Sequence, residues 1–157
     1  LPMPPGTYDI YFKAFREVVL PLIRAYNPDV IMLEAGADTL AGDPLAGLSM
    51  TNNVYVDVIN NLLAFDKPIL ATGGGGYNVE NAVRAWALVW TALCGEQMGD
   101  ATAGMGGVML ENMDWAGGAG LRDRVLVTSK EQKENVDPIV NQIIEQIKQL
   151  VFPIHGI

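Results

Sequence analysis

Several common site-building residues are scarce in this chain. It carries one cysteine, Cys94, and one histidine, His155, in 157 residues. A single cysteine excludes an intramolecular disulfide and a cysteine zinc cluster. Cys94 falls in a run that reads as helix, where it is expected to be a small buried apolar residue. Positive charge is also sparse: 10 Lys and Arg stand against 18 Asp and Glu, giving a formal net charge of −8. That balance argues against a surface that grips a phosphate backbone, so no nucleic-acid partner is expected. No apolar run reaches the ~18 residues that suggest a membrane span, and nothing resembles a signal peptide. The expected setting is therefore cytoplasmic, without a membrane partner. What is abundant is apolar surface: 50% of residues are hydrophobic and 18% charged, enough for one domain with a real core and no more.

The hydrophobic pattern alternates between helix and strand. A first helix is expected from about Tyr8 to Tyr26, with Thr7 as N-cap, a stripe of Phe12, Phe15, Val19, Leu22 and Ile23, and a kink at Pro21. Val30 to Leu33 reads as a strand buried on both faces. A loop over 36–49 follows. Thr51 is expected to cap a second helix with Val54, Tyr55, Val58, Ile59, Leu62 and Leu63 on its apolar face. Ile69-Leu70-Ala71 reads as a second strand that runs into Gly73-Gly74-Gly75-Gly76-Tyr77-Asn78. In a third helix, capped by Asn78 and ended by Gly95, Val79, Val83, Trp86, Trp90 and Leu93 recur at helical spacing. The stretch 99–120 holds seven of the 17 glycines and reads as loop. Val125-Leu126-Val127 reads as a further short strand. A last helix over 137–152 is expected to start with Asp137 as N-cap and Pro138 at its first position.

This alternation implies an α/β fold with a parallel sheet. In such sheets, sites form outside the carboxyl ends of the strands. Both polar, glycine-containing loops follow strands directly, so Gly36–Asp43 and Gly73–Asn78 are expected to be two halves of one site. Asp38 is a carboxylate that can ligate a metal, act as a base, or cap its turn. Asp43, before Pro44, is expected to accept backbone hydrogen bonds and pin its loop. Four consecutive glycines leave a backbone open to close approach, and a helix N-terminus follows, which suits an anion. Yet the segment is neither G-x-x-x-x-G-K-[ST] nor G-x-G-x-x-G with a downstream acid. A noncatalytic nucleotide- or anion-binding module using Gly73–Gly76 remains the alternative reading. Tyr77 can donate its phenolic proton to a developing oxyanion, or it can pack as an ordinary aromatic.

Leu33-Glu34-Ala35-Gly36-Ala37-Asp38-Thr39-Leu40-Ala41-Gly42-Asp43-Pro44-Leu45, followed by Gly73-Gly74-Gly75-Gly76-Tyr77-Asn78 and Ala82-Val83-Arg84-Ala85-Trp86, resembles the zinc-dependent histone deacetylase family. Within it, the similarity is to the bacterial acetoin-utilization deacetylases, from about Leu1 to Gly95. The resemblance implies part of a three-layer α/β/α sandwich of the arginase/deacetylase type. It also implies hydrolysis of acetyl-lysine or a related acetyl-amide by a zinc-bound water. Asp38 matches a zinc ligand and Tyr77 the tyrosine that stabilises the oxyanion, while Leu45 and Gly75 match positions lining the acyl-lysine tunnel. The family's histidine pair and Asp-x-His segment have no match here, and His155 lies outside any motif. The chain opens on Leu1 rather than methionine, so the expectation is a C-terminal portion, 1–157, of one deacetylase-like domain. Alone it is expected to be inactive and to hold no tightly bound zinc. Its expected partners are the missing N-terminal part of the same domain or a second copy.

Overall fold

A computed structural model describes residues 1–96, 121–123 and 127–157. A long first helix comprises α1 (Tyr11–Ala14), a π-helical turn (Phe15–Val19) and α2 (Leu20–Tyr26). Strand β1 (Ile31–Glu34), a 3-10 turn (Ala37–Thr39), α3 (Asn53–Leu63), β2 (Ile69–Thr72) and α4 (Val79–Leu93) follow. The chain closes with α5 (Lys130–Leu150) and a 3-10 turn (Phe152–His155). β1 and β2 pair in parallel, with Ile31 opposite Ile69 and Glu34 opposite Thr72. The expected α/β alternation with a parallel sheet is present.

The irregularity at Pro21 is a π turn rather than a simple kink. Proline lacks the N–H that would bond four residues back, and its ring would crowd the Glu17 carbonyl. The chain widens just before it: the Leu20 amide donates to the Phe15 carbonyl, five residues back. The helix is buried on two sides. Phe15 and Leu20 pack with Ile31 and Leu62 beneath the sheet. Ala14 and Val18 pack against Val136, Val140 and Ile144 of α5. The expected stripe captured the first side, and of the second it held Leu22 but not Ala14 or Val18. Thr7 does not cap this helix; its hydroxyl donates to the Pro4 carbonyl at 2.7 Å, and the cap position falls at Ile10.

Three further expectations are corrected by tertiary partners. Thr51 does not cap α3: Asp9 accepts its amide and hydroxyl, both at 2.7 Å, and Asn52 takes the cap position. Helix α5 begins seven residues before Asp137, with Ser129 accepting from the Gln132 amide, and Pro138 lies inside it. Asp137 is instead the acceptor for the Tyr8 hydroxyl, at 2.8 Å. Cys94 is exposed rather than buried. The expected strand at Val125–Val127 and the loop over 99–120 lie largely or wholly outside the described residues.

The largest departure is which apolar surfaces are covered. Helix α4 buries Ala82, Ala85, Leu88, Val89 and Ala92, small enough for close approach to α3 and the 3-10 turn. Of the bulkier residues that recur at helical spacing, Leu93 packs against the core, but Val79 is 74% exposed, Val83 57% and Trp90 71%. Strand β1 is likewise covered on one face only. Ile31 and Leu33 meet the helices, whereas Val30 and Met32 are exposed, as is Leu70 opposite Met32. Among the described residues, nothing covers that second face, and each strand has an unpaired outer edge.

Arg84, on the buried side of α4, is 6% exposed. Its guanidinium pairs with Asp123, which also accepts the Asn52 amide at 2.8 Å and donates its own amide to the Asn52 side chain. This ties residues 121–123 to the starts of both helices. Breaking a buried pair on one side strands the other charge. Asp123→Ala is therefore expected to lower the unfolding free energy by about 3 kcal/mol, read by urea titration, with a change under about 0.5 kcal/mol contradicting it. The open apolar faces generate a second expectation. Light scattering of the isolated chain is expected to give a mass above 16.9 kDa that rises with concentration, and Met32→Glu or Trp90→Glu is expected to lower it. A monomer at every concentration would contradict this.

Candidate functional site

The strand register sets the site. β1 and β2 run side by side, and the ladder continues one step further as the Ala35 amide donates to the Thr72 carbonyl at 2.9 Å. The two loops that leave the strands therefore start next to each other. They stay together: the Ala37 amide donates to the Gly75 carbonyl at 2.5 Å. The glycines permit this approach. A Cβ on Gly74 would stand 2.8 Å from the Gly36 Cα, and one on Gly75 would overlap the Asp38 carboxylate. The close approach expected of the glycine run is thus made to the neighbouring loop of the same chain. Asp38 and Gly75 are brought into contact, as the two-halves expectation requires.

Asp38 sits in the 3-10 turn, half-buried. Its turn is held from below by Tyr55, whose hydroxyl donates to the Gly36 carbonyl and accepts from the Thr39 hydroxyl. Burial pushes the Tyr55 phenol up to about 12, partly offset by Thr39 and reinforced by the charge of Asp38, so it stays a neutral donor. Beside them lies a cavity of about 300 Å³, lined by Glu34, Asp38, Thr39 and Tyr55 among mostly apolar neighbours. Helix α4 supports the same loop from the other side. Trp86 Nε1 donates to the Ala35 carbonyl at 2.8 Å, and Asn81 Nδ2 to the Ala41 carbonyl at 3.0 Å. Asn78 caps α4 as expected, accepting from the Asn81 amide.

Tyr77 follows the glycines and is 54% exposed. Its backbone amide donates to Asp43 Oδ2 at 2.8 Å. The other oxygen of Asp43 accepts from the amides of Leu45, at 2.8 Å, and Ala46, at 3.1 Å. Desolvation pushes the Asp43 carboxyl up, but the donors from Tyr77, Leu45, Ala46 and Asn78 outweigh it and hold the group below the usual carboxylate range. A depressed folded pKa stabilises the fold above the unfolded value, near 4, and that contribution disappears as pH falls through the folded value. Leu45 projects outward, 72% exposed, at the rim. His155 lies in the exposed C-terminal turn. Sequence reading placed Tyr55 on an apolar stripe and missed its hydroxyl; a tyrosine at a helix position facing a polar turn is the signal that pointed to it.

Residues 1–93 match the histone deacetylase domain. The chain belongs to the histone deacetylase family. It is 32% identical to histone deacetylase 8 of Danio rerio over 90 residues, 57% of this chain and 24% of that protein. It is 26% identical to histone deacetylase clr6 of Schizosaccharomyces pombe over 145 residues, 90% of this chain and 34% of that one. The crystal structure of the HDA15 HD domain superposes with a TM-score of 0.56 at 32% identity, over 59% of this chain and 28% of that domain. The fold is therefore that of a deacetylase domain, of which the chain spans about a quarter to a third of the matched relatives' length.

A zinc site of the kind this family implies needs three or four protein donors. Asp38 is one suitable oxygen donor. Among the described residues there is no group of three or more His, Cys, Asp or Glu side chains able to hold a metal. The described residues do not by themselves complete a metal site.

The packing of the two loops makes a direct prediction. Gly74→Ala forces a methyl onto backbone atoms and is expected to destabilise the chain by about 1–3 kcal/mol. A Cβ on Gly73 meets the Trp86 ring at an ordinary 3.5 Å, so Gly73→Ala is expected to be tolerated. Thermal melts of the two variants that fail to separate would contradict the loop contact.

Proposed function

We propose that this chain is a portion of a zinc-dependent deacetylase acting on acetyl-lysine or a related acetyl-amide, with Asp38 as one metal ligand and Tyr77 as the donor to the substrate carbonyl. One observation carries the reading: the two family motifs, whose contacting residues Ala37 and Gly75 are 38 positions apart in the sequence, meet through backbone contact at the carboxyl end of the sheet. Zinc, when bound, supplies Lewis acidity and an activated water. The chain's own residues do the rest of what falls to this portion. Tyr77 offers a phenolic O–H where negative charge develops on the carbonyl oxygen, and a preorganised donor there is worth about 3–4 kcal/mol of barrier. Gly75, with no side chain, keeps the wall beside Asp38 flat, and Leu45 adds an apolar rim for the acyl-lysine stem.

The family's histidine pair and Asp-x-His segment have no match in this sequence, so in this reading the isolated chain is inactive. The rest of the deacetylase domain covers the open face of β1 and β2 and the outer stripe of α4; without it, copies of the chain associate through the same surfaces. The alternative of a phosphate loop loses support, because the backbone of Gly74 and Gly75 is already pressed against Gly36 and Asp38.

Substitutions in a protein carrying the whole domain test the assignment. Tyr77→Phe is expected to keep zinc and lose about 10²–10³-fold in turnover. Asp38→Ala is expected to lower zinc content as well, measured by elemental analysis. Turnover at the wild-type level in Tyr77→Phe would remove the tyrosine from the mechanism.

A further inference from the structure

We infer that Asp43 is a positioning residue: its carboxylate clamps the Tyr77 loop onto the loop that carries Asp38, so that the phenol is placed relative to the candidate metal ligand by a single side chain. The inference rests on the roles proposed for Asp38 and Tyr77. Its geometric basis is independent of them. The two oxygens of Asp43 serve different segments. Oδ1 closes a local turn by accepting from Leu45 and Ala46, and Oδ2 reaches across to the Tyr77 amide, 34 residues further along the chain. The residue before it, Gly42, has φ of +85°, a conformation that costs glycine little. That turn aims the carboxylate at the second loop.

The need for an external clamp follows from the glycines. Four of them precede Tyr77, and each leaves the backbone more freedom than any other residue would. The Ala37–Gly75 hydrogen bond fixes the loop two residues before the tyrosine. Tyr77 is more than half exposed, so packing alone does not hold it. The bond from its amide to Asp43 is the constraint nearest the phenol. A carboxylate suits the position because it accepts at both oxygens, whereas an amide side chain accepts at one.

Asp43→Asn separates the two functions. Its single oxygen can keep the turn at Leu45 and Ala46, while its NH₂ group faces the Tyr77 N–H and loses that bond. In the isolated chain, amide hydrogen exchange is expected to accelerate at least ~10-fold at Tyr77 and to stay unchanged at Leu45. In the whole domain, kcat is expected to fall by about 10- to 100-fold with KM little changed, since misplacement by about an ångström costs that much. In a Tyr77→Phe background, Asp43→Asn is expected to cost nothing further. An unchanged exchange rate at Tyr77, or an equal loss of kcat in both backgrounds, would overturn the clamp. If Tyr77→Phe alone retained full turnover, the role proposed for the tyrosine would fail, and the exchange rates would still decide whether Asp43 holds its loop.

Discussion

The backbone contact between Gly36–Asp38 and Gly74–Gly76 is the constraint on which the site depends. Parallel pairing of β1 with β2 delivers both loops to one edge, but strand pairing alone would let them diverge after Thr72. They remain in contact because one loop contributes an amide, at Ala37, the other a carbonyl, at Gly75, and neither Gly36 nor Gly74 has a side chain in the way. Tyr55 from α3 and Trp86 from α4 then bind carbonyls of the first loop, at Gly36 and Ala35. The helices thus do more than cover the sheet. Each sends one polar group of an aromatic side chain to hold the loop that bears Asp38.

Among the described residues, the same helices leave much of their apolar surface uncovered. Parallel sheets are normally covered on both faces, and here, among the described residues, Val30, Met32 and Leu70 form an open face while α4 turns Val79, Val83 and Trp90 outward. These surfaces have the composition of a core. The chain superposes on 28% of the HDA15 HD domain.

Much of this was legible in the sequence where the signal was local. Both strands, the parallel alternation and the meeting of the two strand-end loops follow from short apolar runs that end in turn residues. So does the Asn78 cap, because its partner is three residues away. The failures share one cause. Thr51, Thr7 and Asp137 have the chemistry of helix caps, but Asp9, the Pro4 carbonyl and Tyr8 claim their side chains instead. The facing of α4 is a related case. Periodicity identifies an apolar stripe, and only packing shows that the alanines opposite it fit closer to α3. The reach of Asp43 to Tyr77 spans two loops and has no signature in either.

Amide hydrogen exchange at Ala37 tests the central claim most directly. If the two loops are joined as described, the Ala37 N–H is bonded to Gly75 and exchanges slowly, with protection comparable to that of Leu33 and Ala35 in and beside β1. Exchange of Ala37 at the rate of an unstructured amide, while the strand amides stay protected, would show that the loops part after the sheet. The site built on their contact would then not exist in this chain.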